Sequence, residues 1–442
     1  MDLRDLIVTP LVIVLVYISA YLLRGRVTDG ITRRYFIPAL TCKIIGALAL
    51  GILYQFYYGG GDTFNFHTHG SRHIWEAFWD SPEKGLKLMF SDGTDYRGIY
   101  EYARRIPFFR DPTSYTVIRL AAFFDLFTFS AYSATAVLFS VISFIGLWML
   151  FQSFYEIMPE RHKYIAAATL FIPSVVFWGS GLLKDTITLA CLGMATFCVK
   201  RLFLDRRVRV SYGLLLLVSL YGMFLIKKYI LINYLPAAIL WIYTANLAHI
   251  RSMVFKILLF PFISALVVVA GYYAVQQVSK DDPRYALNKL SNTAKVTAYD
   301  IAYQTGRDAG STYTLGELDG SFGSMIKLAP QAVNVSLFRP YLWEVRNPLM
   351  LMSAMEAMIL LALTLYVLRA RWTRILSVLT NPHVVFCLVF SITFAFAVGV
   401  STFNFGTLSR YKIPSLPFYT LALIQLYFLK SPSTVEEFER TE

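Results

Sequence analysis

Long apolar runs, separated by short turns rich in Lys and Arg, dominate the chain. Windows of about 20 residues, the length a helix needs to cross a bilayer, place spans near 5–23, 36–57, 132–155, 164–182, 185–203, 211–226, 229–247, 255–275, 349–368, 383–401 and 413–429. The pattern predicts an all-α polytopic membrane protein of about 11 transmembrane helices, read as one integral domain over 1–442. Only Gly181, Lys184 and Asp185 break the pair at 164–203, and only Lys227 and Lys228 break the pair at 211–247. Both pairs read as tight helical hairpins. The first run, Leu6 to Leu23, has no small-residue cleavage site before Arg24 and reads as a span, not a removable signal.

Two stretches fall outside this rhythm. The loops 59–117 and 277–347 are each long enough to carry structure and function of their own. Within the first, Ser71–Trp79 and Tyr96–Arg105 predict short amphipathic helices lying at the interface, with Trp75, Phe78, Trp79, Tyr100 and Tyr102 on the apolar face.

Charge then orients the chain. Arg24, Arg26, Arg33, Arg34, Arg161, Lys163, Lys200, Arg201, Arg206, Arg207, Arg209, Arg251, Lys256, Arg369, Arg371 and Arg374 all fall on one side of the eleven-span arrangement. The positive-inside rule makes that side cytoplasmic, with the N-terminus outside and the acidic tail Glu436, Glu437, Glu439 inside. The long loops carry no such excess. Residues 59–117 hold seven Lys/Arg against eight Asp/Glu, and 277–347 hold eight against seven, so both are placed outside. The expected location is a bacterial inner membrane.

Composition agrees. The chain is 56% hydrophobic, 16% charged and 16% aromatic, with a mean hydropathy of +0.53; soluble domains run near a quarter charged. A formal net charge of +13 would suggest nucleic acid in a soluble protein. Here the orientation accounts for most of it, and nucleic acid is set aside. Cys42, Cys191, Cys198 and Cys387 all sit in apolar runs and read as buried thiols.

Candidate chemistry concentrates in the first long loop. Gly59-Gly60-Gly61-Asp62 follows the second span, and its glycines open backbone conformations closed to other residues. A carboxylate fixed there, beside a low-dielectric wall, can serve as a general base; it equally suits a helix cap, and the two roles are compatible. His67, His69 and His73 supply half of the six histidines within seven residues. With Asp62 they form a candidate divalent-metal set whose imidazole and carboxylate ligands suit zinc or manganese, with Mg or Mn as the divalent cofactor considered, although the spacing matches no metal signature and surface or hydrogen-bonding histidines explain them too.

Further charges fall at outer span ends: Lys184-Asp185 after Trp178-Gly179-Ser180-Gly181, Lys227-Lys228, Arg410-Tyr411-Lys412, and Arg339 with Tyr341, Trp343 and Glu344. Headgroup snorkelling explains each singly. Four basic clusters on the side the rule leaves poor in Lys and Arg suggest a cavity for a phosphorylated lipid. No P-loop, Rossmann fingerprint, G-x-S-x-G or H-E-x-x-H occurs. The near absence of acidic residues within the spans weakens a transporter reading.

The layout resembles the GT-C superfamily of polytopic glycosyltransferases, with Asp62 in the first long loop amid amphipathic helices. Pro173-Ser174-Val175-Val176-Phe177-Trp178-Gly179-Ser180-Gly181-Leu182-Leu183-Lys184-Asp185 looks like a P-x-x-x-F-W-x-x-G-x-x-K-[DE] pattern of bacterial membrane glycosyltransferases and surface-polysaccharide polymerases. Arg410-Tyr411-Lys412-Ile413-Pro414 with Pro417 is similar to the start of a late span in such proteins. Two departures stand out: the acidic loop follows the second span, and no second acidic residue follows Asp62 closely. Asp92, Asp95, Glu101 and Asp111 cannot be ranked from sequence as its partner.

The resemblance implies an inverting transfer from a polyprenyl-phosphate-linked sugar to a glycan or lipid acceptor. Asp62 would be the base. Arg339, Arg410 and Lys412, together with Lys184, would bind the phosphate, Asp185 would belong to the substrate-binding set, and Trp178, Tyr341 and Trp343 would stack on sugar or line a lipid groove. Rival readings are a repeat-unit polymerase or ligase, a lipid or oligosaccharide flippase, and a non-enzymatic membrane-complex subunit.

Overall fold

The structure is a computed structural model, and it describes residues 2–247, 292, 295–297, 299–300, 303, 311–316, 322–372 and 381–428. The described chain is helical. In order it forms α1 (Leu3–Val27), α2 (Arg33–Phe56), α3 (Asp62–Phe66), a π-helical turn (His67–Ser71), α4 (Arg72–Asp80), α5 (Pro82–Phe90), α6 (Tyr100–Ala103), α7 (Pro112–Thr128), α8 (Tyr132–Tyr155), α9 (His162–Leu170), α10 (Pro173–Trp178) and α11 (Lys184–Val199). It continues with α12 (Val210–Ile226), α13 (Lys228–Leu247), α14 (Phe322–Lys327), α15 (Ala329–Phe338), α16 (Pro348–Arg371), α17 (Pro382–Ser401), α18 (Phe405–Tyr411) and α19 (Ser415–Phe428). Among the described residues there is no β-strand, only an isolated antiparallel bridge between Thr312 and Asn404.

Among the described residues, seven helices are long and apolar enough to cross a membrane: α1, α2, α8, α11 with its π-helical extension to Leu204, α13, α16 and α17. α1 shows why the surroundings must be apolar. Leu6, Ile7, Leu11, Val14, Leu15, Ile18 and Leu22 are all exposed along it, a face that water would not tolerate.

Three of the expected spans differ from the pattern. The run at 164–182 is divided: α9 stops at Leu170, and α10 begins only at Pro173. Proline has no N–H to donate into the preceding turn and biases the residue before it away from helix, so a new helix begins there. The run at 211–226 is a 17-residue helix, and 413–429 contains α19 at 14 residues. The run at 255–275, most of the loop 277–347, and Arg251, Lys256, Arg374, Glu436, Glu437 and Glu439 lie outside the described residues.

The hydropathy gave no sign of a second boundary, yet the chain divides into two compact units. The first comprises residues 1–198 and 208–228; the second comprises 199–207 and 229–442. In the first, α2 packs along α8, α1 and α9 flank α8, and α10 lies against α2. The close approach of α10 to α2 depends on Gly46, because a Cβ there would run into the Val176 carbonyl oxygen. In the second, α17 packs between α15 and α19, and α16 covers α19. Its core is aromatic, with Trp241 stacked on Phe386 at 4.3 Å and Phe390 edge-on to Phe418 at 4.7 Å.

The first long loop is more structured than the pattern indicated. α4 matches the expected amphipathic helix, burying Ile74 and Ala77 and exposing Trp79. The second expected helix shrinks from 96–105 to the single turn α6. α5 and α7 were not expected. α5 folds back on α4 because Gly85 leaves room for the Phe78 ring.

Candidate functional site

Three glycines in succession carry the chain from α2 into α3. Gly59, Gly60 and Gly61 have φ of +68°, +141° and +121°, all in the region that disfavours side chains. The turn is sealed on one side by the Tyr54 ring, 2.9 Å from where a Cβ on Gly61 would sit. It delivers Asp62 to the first position of α3, half-buried. Thr63 then ties α3 to the start of α8, its hydroxyl 2.7 Å from that of Tyr132.

A second backbone device places Lys184. α10 is six residues long, and its terminal carbonyls are met from within the first unit. Lys43 of α2 donates its Nζ to Val175 O at 2.9 Å and to Gly179 O at 2.8 Å, and Ser143 Oγ also donates to Gly179 O at 2.6 Å. The following turn is pressed on α2, where Gly181 meets Leu50 with no room for a Cβ. α11 starts immediately afterwards with Lys184 and Asp185. Asp185 turns inward and forms a buried ion pair with Lys227 at the end of α12.

Lys184 faces α7. Its Nζ donates to Thr113 Oγ1 at 2.6 Å and lies 3.5 Å from Asp111 Oδ2. Asp111 is the N-cap of α7 and accepts from Thr113 N at 3.1 Å and from the Ser114 hydroxyl. Partial burial pushes the Asp111 carboxyl upward. The Ser114 hydroxyl, the Lys184 ammonium and the Thr113 donors outweigh that and hold it below the usual carboxylate range. Asp62 and Lys227 both lie within electrostatic range of Lys184. Two lysines and three carboxylates, from four separate segments, therefore gather at one end of the first unit.

The histidines do not gather with them. His67 is fully buried and turns to Asp125 of α7, with Nε2 3.3 Å from Oδ1. Asp125 also accepts from Ser71 Oγ and Thr135 Oγ1, each at 2.6 Å. His73 pairs with Glu76 at 3.0 Å, one helical turn along α4, and His69 is exposed. Among the described residues no three His, Cys, Asp or Glu side chains are placed to hold a metal ion. The set His67, His69, His73 with Asp62 does not fit one. The physical reason is the π-helical turn: it rotates His67 inward, to a carboxylate that already has two hydroxyl donors.

Trp178 ends α10 and is buried, so its ring is a packing element of the first unit. The remaining candidates lie in the second unit. Arg339 pairs with Glu344, its Nε 3.1 Å and 3.0 Å from the two carboxylate oxygens and its Nη2 also bonded to Oε1. Its guanidinium lies over three rings, Phe405 at 5.2 Å, Tyr313 at 5.7 Å and Tyr341 at 5.9 Å. Burial pushes the Glu344 carboxyl up, but the Arg339 guanidinium and the Tyr341 N–H draw it below the ordinary range. Tyr341 stacks on exposed Trp343 at 4.7 Å. Lys412 is buried, with Nζ 3.4 Å from Arg339 O, and burial lowers its pKa. Arg410 lies 6.0 Å from the Tyr411 ring centre. The structure thus joins Arg339, Tyr341, Trp343 and Lys412 locally, with the Arg339 fork already occupied by a carboxylate.

Compared with family profiles, with curated proteins and with solved structures, the chain matches none.

Proposed function

We propose that the chain is an integral membrane glycosyltransferase that moves a sugar from a polyprenyl-phosphate donor to a hydroxyl of a glycan or lipid acceptor. The observation that carries this reading is the placement of Asp62 on a glycine-only turn, within electrostatic range of Lys184. A base and a cation at one end of a bundle of apolar helices are the two groups such a transfer needs. The donor class rests on the resemblance of the segment from Pro173 to Asp185.

In the proposed step, Asp62 takes the proton of the acceptor hydroxyl as its oxygen attacks the anomeric carbon. The bond from that carbon to the phosphate oxygen breaks on the opposite face, so the configuration inverts. The electron pair leaves with the phosphate, and the Lys184 ammonium stabilises the charge that builds there. Asp111 and Thr113 hold Lys184 in place. The step uses the first unit alone and no metal ligand. The site is assigned to the extracytoplasmic face of a bacterial inner membrane, following the charge bias of the loops.

The test is transfer in proteoliposomes supplied with polyprenyl-phosphate sugars. Asp62→Asn should lower turnover by about 10²–10⁴, with the elution profile and helical content of the wild type. Lys184→Ala should lower kcat as well as donor affinity. An Asp62→Asn protein that keeps substantial activity sinks the proposal, as does transport of a lipid-linked sugar without covalent turnover.

A further inference from the structure

α7 has an unusual placement in the first unit. Its first end is bound to Lys184 at the start of α11, through Asp111 and Thr113. Its other end runs into the start of α8: Phe129 O accepts from Arg4 Nη1 at 3.5 Å, and Ser133 N donates to Asp5 of α1 at 2.7 Å. The starts of α8 and α11 lie at the same end of the bundle. Thr63 is bonded to Tyr132, while its neighbour Asp62 is in electrostatic range of Lys184. Seventeen residues, about 25 Å of helix, therefore lie across one end of the unit instead of crossing it.

Both faces of α7 are largely apolar, unlike those of a surface helix in water. The inward face buries Ile118, Ala121 and Ala122 together with Asp125. The outward face exposes Phe123, Leu126 and Phe127 at 46%, 38% and 65%. One turn before them on that face sits Arg119. Its guanidinium lies 4.9 Å over the Tyr115 ring, and that ring is itself fixed by a 2.7 Å bond from its hydroxyl to Leu88 O. Arg119 Nε is buried without a hydrogen-bond partner among the described residues, and none of their carboxylates lies within ion-pair distance.

A guanidinium held over a ring, its Nε buried and its two terminal nitrogens without an acceptor among the described residues, at the head of an exposed aromatic strip, matches one kind of ligand. We propose that Arg119 holds the phosphate of an anionic glycerophospholipid of the bilayer, whose acyl chains lie along Phe123, Leu126 and Phe127. Guanidinium binds phosphate oxygens in pairs, and it does so at the depth where an interfacial helix meets headgroups. Arg119 is eight residues, about 12 Å of helix, from Asp111. The lipid position is therefore separate from the Asp62–Lys184 end and does not depend on the reaction proposed there.

The experiment is native mass spectrometry of the purified full chain in detergent, titrated with phosphatidylglycerol or phosphatidylcholine. The wild type should retain phosphatidylglycerol in preference to phosphatidylcholine. Arg119→Gln should weaken phosphatidylglycerol retention about 5–10-fold and leave phosphatidylcholine unchanged. Arg119→Lys, which keeps charge without the fork, should fall between them. Equal retention of the two lipids by the wild type overturns the proposal, as does unchanged phosphatidylglycerol binding in Arg119→Gln. Displacement of phosphatidylglycerol by an equimolar polyprenyl monophosphate would make this a substrate position and also overturns it. Should Arg119→Gln fail to fold, Arg119→Lys decides, with undiminished retention counting against the proposal and reduced retention for it.

Discussion

Lys43 Nζ donates to the carbonyl oxygens of Val175 and Gly179, so a lysine in the second helix completes the end of a short helix more than 130 residues later. Within apolar surroundings a carbonyl without a partner costs about 1–3 kcal/mol. Lys43→Met should therefore lower the thermal unfolding midpoint in detergent. It should also raise the accessibility of a cysteine placed at Ser180 to a thiol reagent, because the turn before Lys184 loses its anchor. Ser143 still holds Gly179 in that variant, so the chain should loosen locally without global unfolding.

The buried pair between Asp185 and Lys227 sets a second expectation. Removing one member strands a charge, which costs roughly 3–5 kcal/mol, whereas replacing both by apolar residues of similar size is often neutral. Asp185→Asn should destabilise the protein strongly, and the Asp185→Leu/Lys227→Met double variant should recover most of the loss. A double-mutant cycle on denaturant midpoints measures the coupling.

Asp111 carries a pH signature. Its folded pKa is depressed, so it contributes stability that is present above the unfolded carboxylate value and lost as pH falls through the folded one. Asp111→Asn keeps a helix-capping side chain but not the charge facing Lys184. The stability gap between wild type and variant should be full at neutral pH and should close below about pH 4, as read from unfolding midpoints across pH. A constant gap would mean that packing, not charge, is at stake.

In the second unit, Glu344 accepts from both Arg339 and Tyr341 N, and so fixes the stacked rings of Tyr341 and Trp343. Glu344→Gln should release that stack. In a protein whose other tryptophans are replaced by phenylalanine, Trp343 fluorescence should become more quenchable by acrylamide. The same change should appear in wild type as pH falls below the ordinary carboxylate range, because Glu344 is depressed as well.

How far the sequence reached depended on whether the information was local. The glycine turn and Asp62 were legible, because consecutive glycines before an acidic residue have few other uses. Lys184 and Asp185 were legible as a pair but not as opposites. Only the packing shows that one faces α7 and the other is buried against Lys227. Asp111 was among four carboxylates that could not be ranked, although Asp-Pro-Thr is an N-cap signal that would have marked the start of α7. The division of 164–182 was readable in Pro173 and was masked by unbroken hydropathy. The inward turn of His67 is not legible because histidine spacing says nothing of a π-helical turn, and Arg119 carries no local signal because a single arginine in an apolar stretch has no pattern around it.

The linker Gly59-Gly60-Gly61 has a consequence for how this chain can vary. Three consecutive positive φ values reverse the local handedness of the backbone. An L-residue forced there costs about 1–3 kcal/mol, even at Gly59 and Gly60, where a Cβ would meet no neighbour. Every amino acid substituted at these positions brings a Cβ, so the penalty is set by chirality and not by size or polarity. Here a D-alanine introduced by chemical ligation should be tolerated better than its mirror image.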